Sequence, residues 1–209
     1  MKRIFACMLS AALIFSLAGC FNRDDELTAE KPVIYLYPEQ ETEVAVRLDY
    51  DGRLTAAYPA YQDGWTVTAQ PDGTLTDQKG MEYRYLYWEG TDETRYDFSR
   101  GFCVKGGDTA AFLEQALAEI GLNRAEANEF IIYWLPRMEA NEWNLISFQQ
   151  EAYRESAKLI VDPAPDSMLR VFMAWKPAEQ NIPIEPQEFE PFDRDGFTVV
   201  EWGGCEVKG

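Results

Sequence analysis

Glu43-Val44-Ala45-Val46-Arg47-Leu48-Asp49 alternates strictly, and Asp51-Gly52 follows it before Leu54-Thr55-Ala56-Ala57-Tyr58. Side chains in a strand point to opposite faces in turn, so Val44, Val46 and Leu48 line one face while Glu43, Ala45, Arg47 and Asp49 line the other. This is the pattern of a strand with one face in a core and one in water. Asp-Gly between two such runs predicts a tight hairpin turn.

The same reading extends in both directions. Upstream, Val33-Ile34-Tyr35-Leu36-Tyr37 is a dense run of strand formers closed by Pro38. Downstream, Trp65 to Ala69 follows Gly64, Pro71-Asp72-Gly73 turns the chain into Thr74-Leu75-Thr76, and Met81 to Trp88 makes a sixth strand. Short strands at intervals near ten residues, with turn signals between, favour an antiparallel sheet or sandwich. After Gly106-Gly107 the period changes. Asp108 is placed to cap a helix whose stripe is Phe112, Leu113, Ala116, Leu117 and Ile120, with Gly121 ending it. Asn123-Arg124-Ala125-Glu126 has the spacing of a capping box and starts a second helix. The β-branched and aromatic run from Phe130 to Leu135 predicts that this helix is short and gives way to a strand. Asn144 to Phe148, Ala157 to Val161, Met168 to Trp175 and Phe197 to Trp202 read as further strands, and Pro177 to Pro191 as an extended loop. The expected fold is α+β: strand-dominated, with a small two-helix segment in the middle.

The chain starts with Met1-Lys2-Arg3 and then carries no charge from Ile4 to Cys20. A positive start, a short apolar stretch and small residues before a cut describe an export signal. The stretch is shorter than the roughly 20 apolar residues of a permanent span. Leu17-Ala18-Gly19-Cys20 resembles the lipobox of bacterial lipoproteins. That resemblance implies cleavage after residue 19 and a diacylglyceryl group on Cys20, hence residence on the exported side of a cell membrane or outer membrane. Phe21 to Glu30 is polar and acidic and reads as a tether of at most about 35 Å. Residues 31–209 are expected to form a single globular domain.

Acidic residues number 36 against 19 basic ones, for a formal charge of −17. Loss of a leader carrying Lys2 and Arg3 makes the remainder two units more negative. Such a surface repels nucleic acid and anionic headgroups. The chain contains no histidine, which excludes Ser-His-Asp and Cys-His nucleophiles and histidine-ligated metals. No cofactor-binding motif occurs, and the Asp-rich turns Asp49-Tyr50-Asp51-Gly52 and Asp193-Arg194-Asp195-Gly196 fail the spacing of a calcium loop. With Cys7 in the leader and Cys20 lipidated, Cys103 and Cys205 remain. They are either free or joined in a disulfide, which at about 100 residues apart would contribute about 4.7 kcal/mol in the chain-entropy account.

Lys31-Pro32-Val33-Ile34-Tyr35-Leu36-Tyr37-Pro38, Tyr85-Leu86-Tyr87-Trp88-Glu89-Gly90, Tyr133-Trp134-Leu135-Pro136 and Val200-Glu201-Trp202-Gly203-Gly204 resemble the signature blocks of an uncharacterised protein family. The resemblance spans the domain and implies no activity, substrate or cofactor.

Two constellations could carry function. Glu89 and Glu201, each beside tryptophan and glycine at a strand end, are the candidate catalytic carboxylates of a histidine-free hydrolase acting on envelope polysaccharide. Tyr83, Tyr85 and Tyr87 alternate along one predicted strand. With Trp88 and Trp202 they are the candidate contacts for an envelope protein or glycan, although a core role suits the row better, because Leu86 and Trp88 make the other face of the same strand apolar too. The favoured expectation is a membrane-anchored binding or interaction module, with the hydrolase as the alternative.

Overall fold

In the computed structural model the described residues are 27–208. They form twelve strands and three α-helices. In chain order these are β1 Leu27–Tyr37, β2 Thr42–Tyr50, β3 Gly52–Tyr58, β4 Trp65–Ala69, β5 Leu75–Asp77, β6 Glu82–Tyr83, β7 Leu86–Asp92 and β8 Phe102–Lys105. Then come α1 Thr109–Ile120, α2 Arg124–Met138, β9 Trp143–Phe148, α3 Gln150–Ser156, β10 Ala157–Asp162, β11 Ser167–Ala178 and β12 Thr198–Glu206. The signal segment, Cys20 and residues 21–26 lie outside the described residues.

A seven-stranded sheet runs β3-β7-β1-β12-β11-β9-β8, and a five-stranded sheet runs β10-β2-β4-β5-β6. The named strand pairs are antiparallel except β11 with β12. One face of the large sheet packs on the small sheet through Ile34, Leu36, Trp88, Phe172 and Val199 against Val44, Val46, Trp65 and Val67. The opposite face is covered by α1 and α2, with Val33, Val171, Val200 and Trp202 beneath Leu113, Leu117, Phe130 and Trp134. The expected fold class therefore holds: a mixed α+β fold dominated by antiparallel sheet, with a small helical segment between strand regions. The layering also explains the sequence texture. Strand β1 reads as a continuous apolar run because both its faces are covered, whereas β2 alternates because its sheet has water on one side.

Four expectations are corrected. Asp51-Gly52 makes no hairpin: β2 belongs to the small sheet and β3 to the large one, so the chain turns a corner between sheets. The amide of Asp51 still bonds to Ser156 O at 2.7 Å, while Gly52 already pairs with Asp92. A Cβ on Gly52 would lie 2.5 Å from Thr91 O and 2.7 Å from the Tyr50 ring, which is why glycine stands at the corner. Second, Phe130–Leu135 is helical. Helix α2 runs on to Met138 because Phe130, Trp134 and Met138, four residues apart, are all fully buried on one face. Pro136 lies within the last turn of α2 and removes the backbone bond to Ile132 O without ending the helix. Third, Met81 to Trp88 is two strands, β6 in the small sheet and β7 in the large one. Fourth, the domain starts earlier than Lys31: Leu27, Thr28 and Ala29 pair with Asp92, Thr91 and Gly90 of β7, so the last residues assigned to the tether are strand. Helix α3 was not anticipated. It is seven residues long, too short to show a helical stripe.

Asp108 stands at the start of α1 but its side chain makes no cap hydrogen bond, whereas the other two helix-end signals are followed. Gly121, at φ 112°, closes α1 in the left-handed conformation. Asn123 Oδ1 accepts from the amides of Ala125 and Glu126, and Glu126 Oε2 accepts from Asn123 N at 2.8 Å. Asn123→Ala is expected to cost about 1 kcal/mol, read as a lower urea midpoint at unchanged slope. An unchanged midpoint would show that α2 does not depend on its cap.

Candidate functional site

Strand β1 is irregular at one place. Its register shifts between Glu30 and Val33 against β12, and between Ala29 and Val33 against β7. Within that bulge Lys31 has φ 59°, the one non-glycine residue with positive φ among the described residues. A left-handed lysine costs roughly 1–2 kcal/mol, and the surroundings must hold it there. They do so with specific contacts. Lys31 N donates to Glu89 Oε1 at 3.3 Å, and its Nζ donates to Tyr85 Oη at 3.1 Å. The ammonium lies 4.7 Å from the Tyr85 ring centroid and 5.4 Å from that of Tyr87, a cation–π seat.

Glu30 is held from the helix side. Its Oε2 accepts from Tyr133 Oη at 3.0 Å and lies 3.8 Å from the guanidinium of Arg137, which stacks 4.0 Å from the Tyr133 ring centroid. Tyr133 and Arg137 are four residues apart on α2, so one helix face presents both. Burial pushes the hydroxyls of Tyr87 and Tyr133 upward, reinforced by Glu89 at Tyr87 and by Glu30 at Tyr133. Both phenols stay protonated and act as hydrogen-bond donors.

The tyrosine surface continues toward the sheet edge. Tyr58 is the register partner of Tyr87, so the two share a face, and Tyr58 is 63% exposed. Its ring meets that of Tyr83 edge-on at 5.5 Å. Tyr85 in turn meets Tyr35 edge-on at 5.3 Å, and Tyr35 donates to Glu129 at 3.0 Å. Tyr58, Tyr85, Tyr87 and Tyr133 thus form a platform, punctuated by Glu30, Lys31, Glu89 and Arg137, while Tyr83 packs against the inter-sheet core and touches this surface through Tyr58.

The predicted tyrosine row is split: Tyr85 and Tyr87 lie together on the helix side, and Tyr83 packs against the inter-sheet core. Tyr83 lies on β6 of the small sheet, Tyr87 on β7 of the large one, and Tyr85 in the link between them. The three are half-buried, so they are neither pure core nor free. Trp88 and Trp202 are not contacts: both are fully buried, Trp88 between the sheets and Trp202 under the helices. Glu201 is fully buried as well. Its Oε2 pairs with Arg170 Nε at 2.5 Å, and its Oε1 accepts from Trp88 Nε1 at 3.0 Å. It faces the inter-sheet core with Ile34 and Leu86, whereas Glu89 projects with Tyr87 from the opposite face. The two carboxylates cannot face one another across a sugar, so that catalytic pairing falls.

Cys103 and Cys205 are both free. Cys205 lies on β12 and Cys103 on β8, three strand positions apart in the sheet. At about 4.8 Å per strand that is roughly 14 Å, beyond the 7 Å or so that a disulfide spans between Cα atoms. Among the described residues no group of three or more histidine, cysteine, aspartate or glutamate side chains is placed to hold a metal, and no helix is long and apolar enough to cross a membrane.

Sequence reasoning missed Glu30, Lys31, Tyr58, Tyr133 and Arg137. The Tyr133/Arg137 spacing becomes a signal once α2 is read as continuous. The others depend on which strands pair.

No protein-family profile matches the chain, and no solved structure matches it. A protein of Butyrivibrio fibrisolvens described as "Uncharacterized protein in bglA 3'region" is 39% identical over 94 residues, covering 43% of this chain and 97% of that protein. The similarity takes in nearly the whole of the relative, and the chain therefore belongs to the family of that uncharacterized Butyrivibrio fibrisolvens protein.

Proposed function

We propose that the chain is an exported lipoprotein, anchored in a cell membrane or outer membrane through a diacylated Cys20, and that its domain is a binding module of the cell envelope. The observation that carries the binding reading is the platform: four tyrosines, Tyr58, Tyr85, Tyr87 and Tyr133, with a strained lysine held among them by named contacts. Strain of this kind gathers at ligand sites, where surrounding structure over-determines it. The anchor rests on the sequence from Met1 to Cys20. With β1 starting at Leu27, few residues separate Cys20 from the fold, and the platform residues Glu30 and Lys31 follow within the same strand. The module therefore works close to its own membrane, on an envelope protein or glycan and not on nucleic acid.

The anchor is tested by expressing the full chain and its Cys20→Ser variant with radiolabelled palmitate. Wild type is expected in the membrane fraction carrying label. The variant should lose the label and most of its membrane attachment, because stable anchoring takes two acyl chains or a second signal. Unlabelled wild type, or a variant that stays on the membrane, would overturn the anchor.

A further inference from the structure

We infer that the tyrosine platform around Lys31 takes a neutral, hydroxyl-rich glycan, an inference that rests on reading this surface as the binding surface of the module. Charge is the first argument. In a chain with 36 acidic and 19 basic residues, the platform carries two carboxylates, Glu30 and Glu89, and two cations, Lys31 and Arg137, in one contact network. A polyanion laid here meets Glu30 and Glu89, and a polycation meets Lys31 and Arg137. A neutral ligand meets neither penalty.

Hydrogen-bonding capacity is the second. A sugar hydroxyl both donates and accepts. The carboxylates of Glu30 and Glu89 accept, and each has lone pairs beyond those used by Tyr133 and by the Lys31 amide. The Lys31 ammonium has three donors and spends one on Tyr85. The tyrosine hydroxyls serve either way. Site and ligand thus match in kind at every polar position.

Ring faces are the third. The apolar C–H face of a pyranose lies flat on an aromatic ring and gains dispersion contact with it. Tyr58, 63% exposed and beside Tyr87 and Tyr83, offers such a ring at the open end of the platform. The polar contacts around Lys31 lie at the other end. A chain of several sugars laid from Tyr58 toward Lys31 uses both.

The full-length chain, purified in detergent, is titrated calorimetrically with cellohexaose, xylohexaose and chitohexaose. A heparin hexasaccharide serves as polyanion and a glucosamine hexamer as polycation. At least one neutral hexasaccharide is expected to bind, with affinity little changed by salt because no charge is screened. Tyr58→Ala and Tyr87→Ala should each weaken it about 10-fold or more, as truncation of an aromatic anchor does. Tyr87→Phe should weaken it less, and Arg47→Ala, on the small sheet, should leave it unchanged. Tyr58 is exposed, so its variant tests binding without threatening the fold. Binding by the charged oligomers alone, by no neutral one, or equally by wild type and the tyrosine variants overturns the inference. A photo-crosslinking amino acid in place of Tyr58, used in cells, separates the two levels. Capture of one envelope protein, lost on Tyr87→Ala, overturns the glycan while keeping the binding module. Failure of both glycan binding and crosslinking overturns both.

Discussion

Arg170→Ala is expected to destabilise the domain by about 3–5 kcal/mol, the cost of leaving a buried charge without its partner. Glu201 is 0% exposed and the Arg170 side chain 4%. Trp88 Nε1 bonds to one carboxylate oxygen and Arg170 Nε to the other, while Arg170 Nη1 donates to Ala157 O at 2.5 Å. Burial opposes the charge on Arg170, yet Glu201 and Tyr153 more than offset it, and its pKa is held above the ordinary arginine value. Alanine at 170 removes the cation and strands the carboxylate among Ile34, Leu86 and Phe172. The pair is nevertheless imperfectly satisfied, since Arg170 Nη2 and the Tyr153 hydroxyl have no hydrogen-bond partner among the described residues. The joint replacement Arg170→Met with Glu201→Leu is therefore expected to be neutral or up to about 4 kcal/mol stabilising. Guanidinium denaturation of both variants checks this. A single variant within 1 kcal/mol of wild type would mean that water reaches the pair.

Such a pair could have been suspected from the sequence. Glu201 is the lone charge in Val199-Val200-Glu201-Trp202, and Arg170 the lone charge in Met168-Leu169-Arg170-Val171-Phe172. Opposite charges isolated in two apolar strands point to burial together, a stronger cue than the neighbouring glycines that suggested an active site. Elsewhere legibility followed locality. The β2 alternation, the α1 stripe and the Asn123 capping box need only neighbours within a few residues, and each formed as read. The Asp51-Gly52 corner did not, because the same dipeptide serves a hairpin or a corner. What decides is that β3 pairs with β7, from Gly52 with Asp92 to Tyr58 with Tyr87, far beyond any local turn. A six-residue apolar run such as Phe130–Leu135 fits strand or helix alike by period, and only the seats for Phe130 and Trp134 beneath α2 resolve it. The platform lay at the limit of reading. Tyr85 and Tyr87 stood out in sequence, but Tyr58 joins them through β3–β7 pairing, and Tyr133 and Arg137 through the docking of α2.

That docking turns on Trp202. The residue is fully buried on the helix side of β12, with Val33 and Val171 as its register neighbours and the Phe130 ring edge-on at 5.3 Å. Trp202→Ala is expected to cost about 3–5 kcal/mol, combining lost transfer energy with a cavity the rigid sheet cannot close. Trp202→Phe leaves a smaller void and should cost less. Loss of contact falls on Phe130 and its helix before it falls on the sheet, whose backbone ladders remain intact. Amide exchange should therefore speed up across α2 more than along β1 or β12 in the Trp202→Phe variant. Because α2 carries Tyr133 and Arg137, the Glu30 end of the platform should loosen with it, while the Tyr58 end, built from strands alone, should keep its order. A cost below 1 kcal/mol, or exchange rising uniformly over the domain, would show that α2 is held by the rest of its apolar face and not through this one ring.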